Sequence, residues 1–122
     1  MRPHHDLRVW QEAMALVTKV YALTGDFPAD ERFGLTSQIR RASVSVPSNI
    51  AEGAARGGRK EFVHFLTVAR GSLSELDTQL RIAVNLKFLA ENSPLLTDVE
   101  RLQAALGALI KSQRDRLHEH SV

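Results

Sequence analysis

Seven small or apolar residues, Phe62, Leu66, Ala69, Leu73, Leu76, Leu80 and Ala83, alternate steps of four and three. This spacing lines them along one edge of a helix as a seam of the coiled-coil type, which only other helices can cover. Three further stretches repeat apolar residues at helical intervals, and none shows the alternation of a half-buried strand. Leu35, Ile39, Ala42, Val46, Ile50 and Ala54 form one stripe, and Leu95, Val99, Leu102, Leu106 and Leu109 another, continued by Gln113. The breaks fall at Gly25-Asp26 with Pro28, at Gly57-Gly58 and at Asn92-Ser93-Pro94, all residues that interrupt helices. The pattern predicts an all-α fold, an antiparallel up-and-down four-helix bundle, with helices at roughly 6–24, 31–56, 59–91 and 95–117. Its 122 residues suit a single domain spanning 1–122.

Two segments depart from a plain bundle. The first helix has two apolar sides, one of Leu7, Trp10, Met14, Val17 and Tyr21, the other of Val9, Ala13, Leu16, Val20 and Leu23. A peripheral helix needs one such side, so the second, with Val9, Leu16 and Val20, is expected to be a subunit interface. In the second helix Pro47 sits inside the apolar stripe. It has no N–H for the Ser43 carbonyl, so the helix is expected to kink there rather than to end.

Composition narrows the chemistry. The chain contains no cysteine, which removes disulfides, thiolate zinc sites and a cysteine nucleophile. No segment approaches the ~20 consecutive apolar residues of a membrane span, and no leader is evident, so the expectation is a cytoplasmic protein without a membrane role. His4-His5 and His118-Glu119-His120 lack the four-residue spacing of a helical zinc pair, so no metal site is expected. Gly53 and Gly58 have the spacing of a phosphate-binding loop, but Arg59 stands where its lysine belongs and a helix precedes it instead of a strand. No nucleophile and base pair, no triad and no carboxylate pair is apparent, so neither catalytic residues nor a cofactor is expected and the protein reads as non-enzymatic.

Charge is the one functional lead. Residues 37–90 hold eight basic groups, Arg40, Arg41, Arg56, Arg59, Lys60, Arg70, Arg81 and Lys87, against the four acids Glu52, Glu61, Glu75 and Asp77, while each flanking segment sums to −1. Such a local excess marks either a polyanion surface or a solvated helix face. The Gly57-Gly58-Arg59-Lys60 corner opens a helix, where free backbone N–H groups favour an anion. Ser45, Asn49 and Glu52 share a stripe beside the small residues Val44, Ser48, Ala51 and Ala55. Small residues let helices approach closely, so these three polar groups are expected to form a structural hydrogen-bond network.

Certain of these residues also carry a resemblance. Asp6-Leu7-x-Val9-Trp10, Phe27-Pro28 with Glu31-x-Phe33-Gly34-Leu35, Gln38-Ile39-Arg40-Arg41-Ala42, Ser45-Val46-Pro47-Ser48-Asn49-Ile50-Ala51-Glu52-Gly53, and Phe62-x-x-Phe65-Leu66-x-x-Ala69-Arg70-Gly71-Ser72-x-x-Glu75 occur in order. Over residues 6–90 the chain resembles the large-subunit (23S) ribosomal RNA intervening-sequence protein family. The resemblance implies a small helical subunit that assembles as a homopentamer and has no established enzymatic activity. A related branch looks like the accessory variability determinant of diversity-generating retroelements, a basic pentameric barrel that binds a reverse transcriptase and nucleic acid. By that analogy Arg40, Arg41, Arg56, Arg59, Lys60 and Arg70 are the candidate RNA- or DNA-binding residues. A scaffold for another protein, its charge serving solubility, is the competing expectation.

Overall fold

The computed structural model describes residues 3–119. Four helices follow one another: α1 (Arg8–Thr24), α2 (Leu35–Ala55), α3 (Arg59–Asn85) and α4 (Pro94–Glu119), with short 3-10 turns at Pro3–Asp6 and Ala29–Glu31. Each packs on its neighbour in the chain and α4 returns to α1, so the four stand at the corners of a square. Cross-helix bonds set the directions. Ser74 and Arg81 of α3 meet Gln103 and Glu100 of α4, and Arg59 meets Gln113, so these two helices run antiparallel. Arg40 reaches Thr24 at the joined ends of α1 and α2, and Leu7 before α1 lines one cavity with Gly53 and Ala54 near the end of α2, so these two also run antiparallel.

Leu66, Ala69, Leu73, Leu76, Leu80 and Ala83 are fully buried, as the seam requires, and meet Ile39, Val46 and Ile50 of α2 and Val99, Leu102, Leu106 and Ile110 of α4. Burial of each large side chain contributes about 1.5–3 kcal/mol. At the start of α3 the seam is displaced by one residue: Val63 is buried, while Phe62 is only half-buried against the core.

α1 reverses the expected assignment of its two apolar sides. Val9, Ala13, Leu16 and Val20 face the bundle's own core, and Met14 and Tyr21, on the opposite stripe, are 44% and 45% exposed. Periodicity marks two sides equally; three other helices had to be placed before one of them was covered.

α2 runs through Pro47 as one helix, with the proline ring buried. It begins at Leu35, later than the pattern predicts, because residues 29–31 form their own turn and Gly34 leaves helical geometry (φ −107°, ψ −114°). α3 stops at Asn85 instead of near 91. Lys87 takes a left-handed conformation (φ 66°), Phe88 N–H donates to the Ala83 carbonyl (2.9 Å) and Lys87 N–H to that of Val84 (3.0 Å). This is a Schellman termination with lysine in the place usually held by glycine, so no sequence punctuation announced it. The turned-back Phe88 packs on Phe27 at 5.8 Å between ring centroids, closing that end of the core. At the other end Gly57 (φ 80°) makes the left-handed turn between α2 and α3.

Candidate nucleic-acid interface

The six basic residues singled out by sequence do not form one patch. Arg40 and Arg56 are sixteen positions apart on α2, about 24 Å at the helical rise, and lie near opposite ends of the bundle.

Three of the six have partners inside the chain. Arg40 Nε donates to the Thr24 hydroxyl (2.9 Å) and Nη2 to the Tyr21 carbonyl (3.3 Å), while its guanidinium lies 4.6 Å from the Tyr21 ring centre. It thus holds the last turn of α1, where a cation complements the helix dipole. Arg56 bonds the Glu52 carboxylate (2.7 Å) and covers the Phe65 ring at 5.1 Å. Arg59 Nε donates to Gln113 Oε1 (3.0 Å), tying α3 to α4. Its charge stays uncompensated because its partner is neutral. Arg41 and Lys60 are exposed and Arg70 half-buried, and none of these three enters a salt bridge or side-chain hydrogen bond among the described residues.

The polar network forms in part. Asn49 Nδ2 donates to the Ser45 carbonyl (2.8 Å) and hydroxyl (3.0 Å), and the Ser45 and Ser72 hydroxyls share a 2.9 Å hydrogen bond that links α2 to α3. Glu52 does not belong to it. Its side chain is 50% exposed and pairs one turn along with Arg56. Asn49→Ala should therefore cost about 1 kcal/mol, and Glu52→Ala less than about 0.5 kcal/mol, as for an exposed i,i+4 pair. Urea unfolding of the two variants measures the difference, and equal losses would return Glu52 to the network.

A further feature is an apolar face that is uncharged except for Arg40 at one end, where its guanidinium lies on the Tyr21 ring. Trp10, Met14, Val17 and Tyr21 of α1 lie on the side of that helix that carries the Tyr21–Arg40 contact to α2. Val44, Ser48 and Ala51 line the adjoining outer side of α2, with Val44 40% exposed. Between residues 42 and 51 α2 has no charged residue at all. Arg114 was also missed: the segment from 91 onward sums to −1, which hides a basic residue that α4 sets beside α3.

Among the described residues no group of three or more His, Asp and Glu side chains is arranged to hold a metal ion, and no helix is long and apolar enough to cross a membrane. The fold and surface define a small all-helical bundle with an apolar side and dispersed basic residues. Residues 5–108 match the model of the 23S rRNA-intervening sequence protein family, and the chain belongs to that family. In fold it is similar to a crystallised protein of unknown function from the S23 ribosomal protein family of Bacteroides thetaiotaomicron. The TM-score is 0.75 at 18% identity, over 84% of this chain and 98% of that one. No curated protein matches the chain.

Proposed function

We propose that this protein is a non-enzymatic, self-associating bundle subunit, a homopentamer in its assembled form, that binds RNA or DNA through phosphate contacts. The observation that carries the reading is the apolar α1–α2 face. Interface cores are depleted of charged residues and rich in aromatic residues and Met, and a protein with 25% charged residues leaves such a face bare here. Association would then repeat each subunit's uncompensated cations around a ring, so that phosphate contacts act together. Binding to another protein, a reverse transcriptase included, is the second reading. It draws support from the Glu52–Arg56 pair, which offsets one charge of the expected basic set, and from the dispersal of the rest over both ends of the bundle.

The test is binding of fluorescent RNA and DNA across a salt series. The affinity should fall linearly on a log–log plot as salt rises, since each neutralised phosphate releases counterions, and should differ little between sequences. An absence of binding at low salt would leave the protein-scaffold reading in its place.

A further inference from the structure

On α3, Lys60, Thr67, Ser74 and Arg81 recur every seven residues and so share one stripe. Ser74 and Arg81 are bonded to Gln103 and Glu100, which fixes that stripe as the one beside α4. On α4, Glu100, Gln103, Gly107 and Arg114 follow at steps of three, four and seven, so Gly107 and Arg114 face α3 with them, and Lys111 stands at the outer edge of that stripe. Arg70, between Thr67 and Ser74, completes the set. The half of the α3–α4 face nearer the Gly57-Gly58 turn thus gathers Arg59, Lys60, Arg70, Lys111 and Arg114. Asp115 is the acid beside them, paired with Lys111 at 3.1 Å. Lys60, Arg70 and Arg114 enter no salt bridge among the described residues.

The ground between these cations is low. Gly71 lies one turn from Thr67, and a Cβ at Gly71 or at Gly107 would meet nothing within 4 Å. Each glycine inside a helix costs roughly 1 kcal/mol against alanine, and no packing contact in this chain requires either one. Together with Thr67 and Ser74, whose side chains are short, they leave a shallow trough rimmed by cations, running about 15 Å from Lys60 to Arg70 at the helical rise. The trough has no stacking platform. The exposed aromatic residues Tyr21 and Phe33 lie on α1 and just before α2, and His64 stands against Phe65. Single-strand binders rely on aromatic stacking for much of their affinity, whereas a double helix presents its phosphates outward to a surface that reads only backbone.

We infer that the α3–α4 trough holds the phosphodiester backbone of a double helix, with Lys60, Arg70 and Arg114 contacting phosphates and Gly71 and Gly107 allowing close approach. This rests on the reading of the protein as a nucleic-acid binder. It places the contact opposite the apolar α1–α2 side and outside the Arg40–Arg41 region.

The experiment uses the full chain with a short fluorescent RNA duplex, the DNA duplex of the same sequence, and their separated strands. Duplex in at least one of the two forms should bind about tenfold or more tighter than single strand. Lys60→Glu/Arg70→Glu/Arg114→Glu should weaken it at least 100-fold and lower the salt slope by about three, while Arg41→Glu changes it less than about fivefold. Gly71→Leu/Gly107→Leu keeps every charge and should still lose about tenfold, an effect that diffuse electrostatics would not produce. Circular dichroism checks that each variant is folded. Equal affinity for single strands, or duplex binding unchanged by the triple reversal or by filling the trough, overturns the inference while leaving nucleic-acid binding intact. No binding of any probe at low salt overturns the underlying reading instead.

Discussion

Met14→Glu/Val44→Glu should convert the assembly into a folded monomer. The parent chain is expected to run in light scattering as five copies of 13.6 kDa, about 68 kDa, and the variant as one. Both side chains are partly exposed in the single chain, at 44% and 40%, so carboxylates there remain in water when the subunit stands alone and the bundle core is untouched. In an interface such carboxylates lose their water at an effective cost of several kcal/mol per ion, and the one at position 14 has no charged residue a turn away on α1 to meet it. A loss of even 2.7 kcal/mol per contact weakens association about 100-fold. Val9, Leu16 and Val20, the stripe that sequence alone put at the interface, are unsuitable for this test because they lie in the core. A parent that is already monomeric at micromolar concentration, or a folded variant that keeps the parent's mass, would refute the interface.

What sequence could and could not show follows from the range of each signal. The seam of α3 and the stripes of α2 and α4 were legible because helical periodicity is local and burial follows it directly. The end of α3 was not, since the left-handed turn at Lys87 carries no glycine and depends on Phe88 finding Phe27 across the bundle. The choice between the two sides of α1 belongs to the tertiary arrangement. The same holds for the basic residues: charge counted along the chain joined Arg40 to Lys60, although α2 separates them by most of its length, and left out Arg114, which antiparallel packing brings back beside α3. Glu52 shares the stripe of Ser45 and Asn49, but periodicity does not say which members of a stripe find a partner on the next helix, and this one pairs with Arg56 on its own helix instead.

Gly53 is where local propensity and packing give opposite answers, and packing should win. By propensity alone Gly53→Ala in the last turns of α2 would stabilise the helix by roughly 1 kcal/mol. A Cβ at this position, however, would lie 2.8 Å from Phe65 Cβ, 3.3 Å from Phe62 Cδ1 and 3.4 Å from the Phe62 carbonyl oxygen. A Cβ atom is fixed to its backbone and no rotamer change moves it, so the methyl group has to push α3 away from α2. The two helices are joined four residues later by the turn that starts at Gly57, which leaves little length over which to spread the shift. Overpacking of this kind costs typically 1–3 kcal/mol, and a net destabilisation of about 1–2 kcal/mol is expected. Gly71→Ala is the matched control. Nothing lies within 4 Å of its Cβ, so the propensity gain stands alone and stability should rise by about 0.5–1 kcal/mol. Urea midpoints for the two variants should therefore move in opposite directions from the parent at unchanged m-value. A Gly53→Ala variant as stable as Gly71→Ala would mean that α2 and α3 do not approach as closely here as the structure has them.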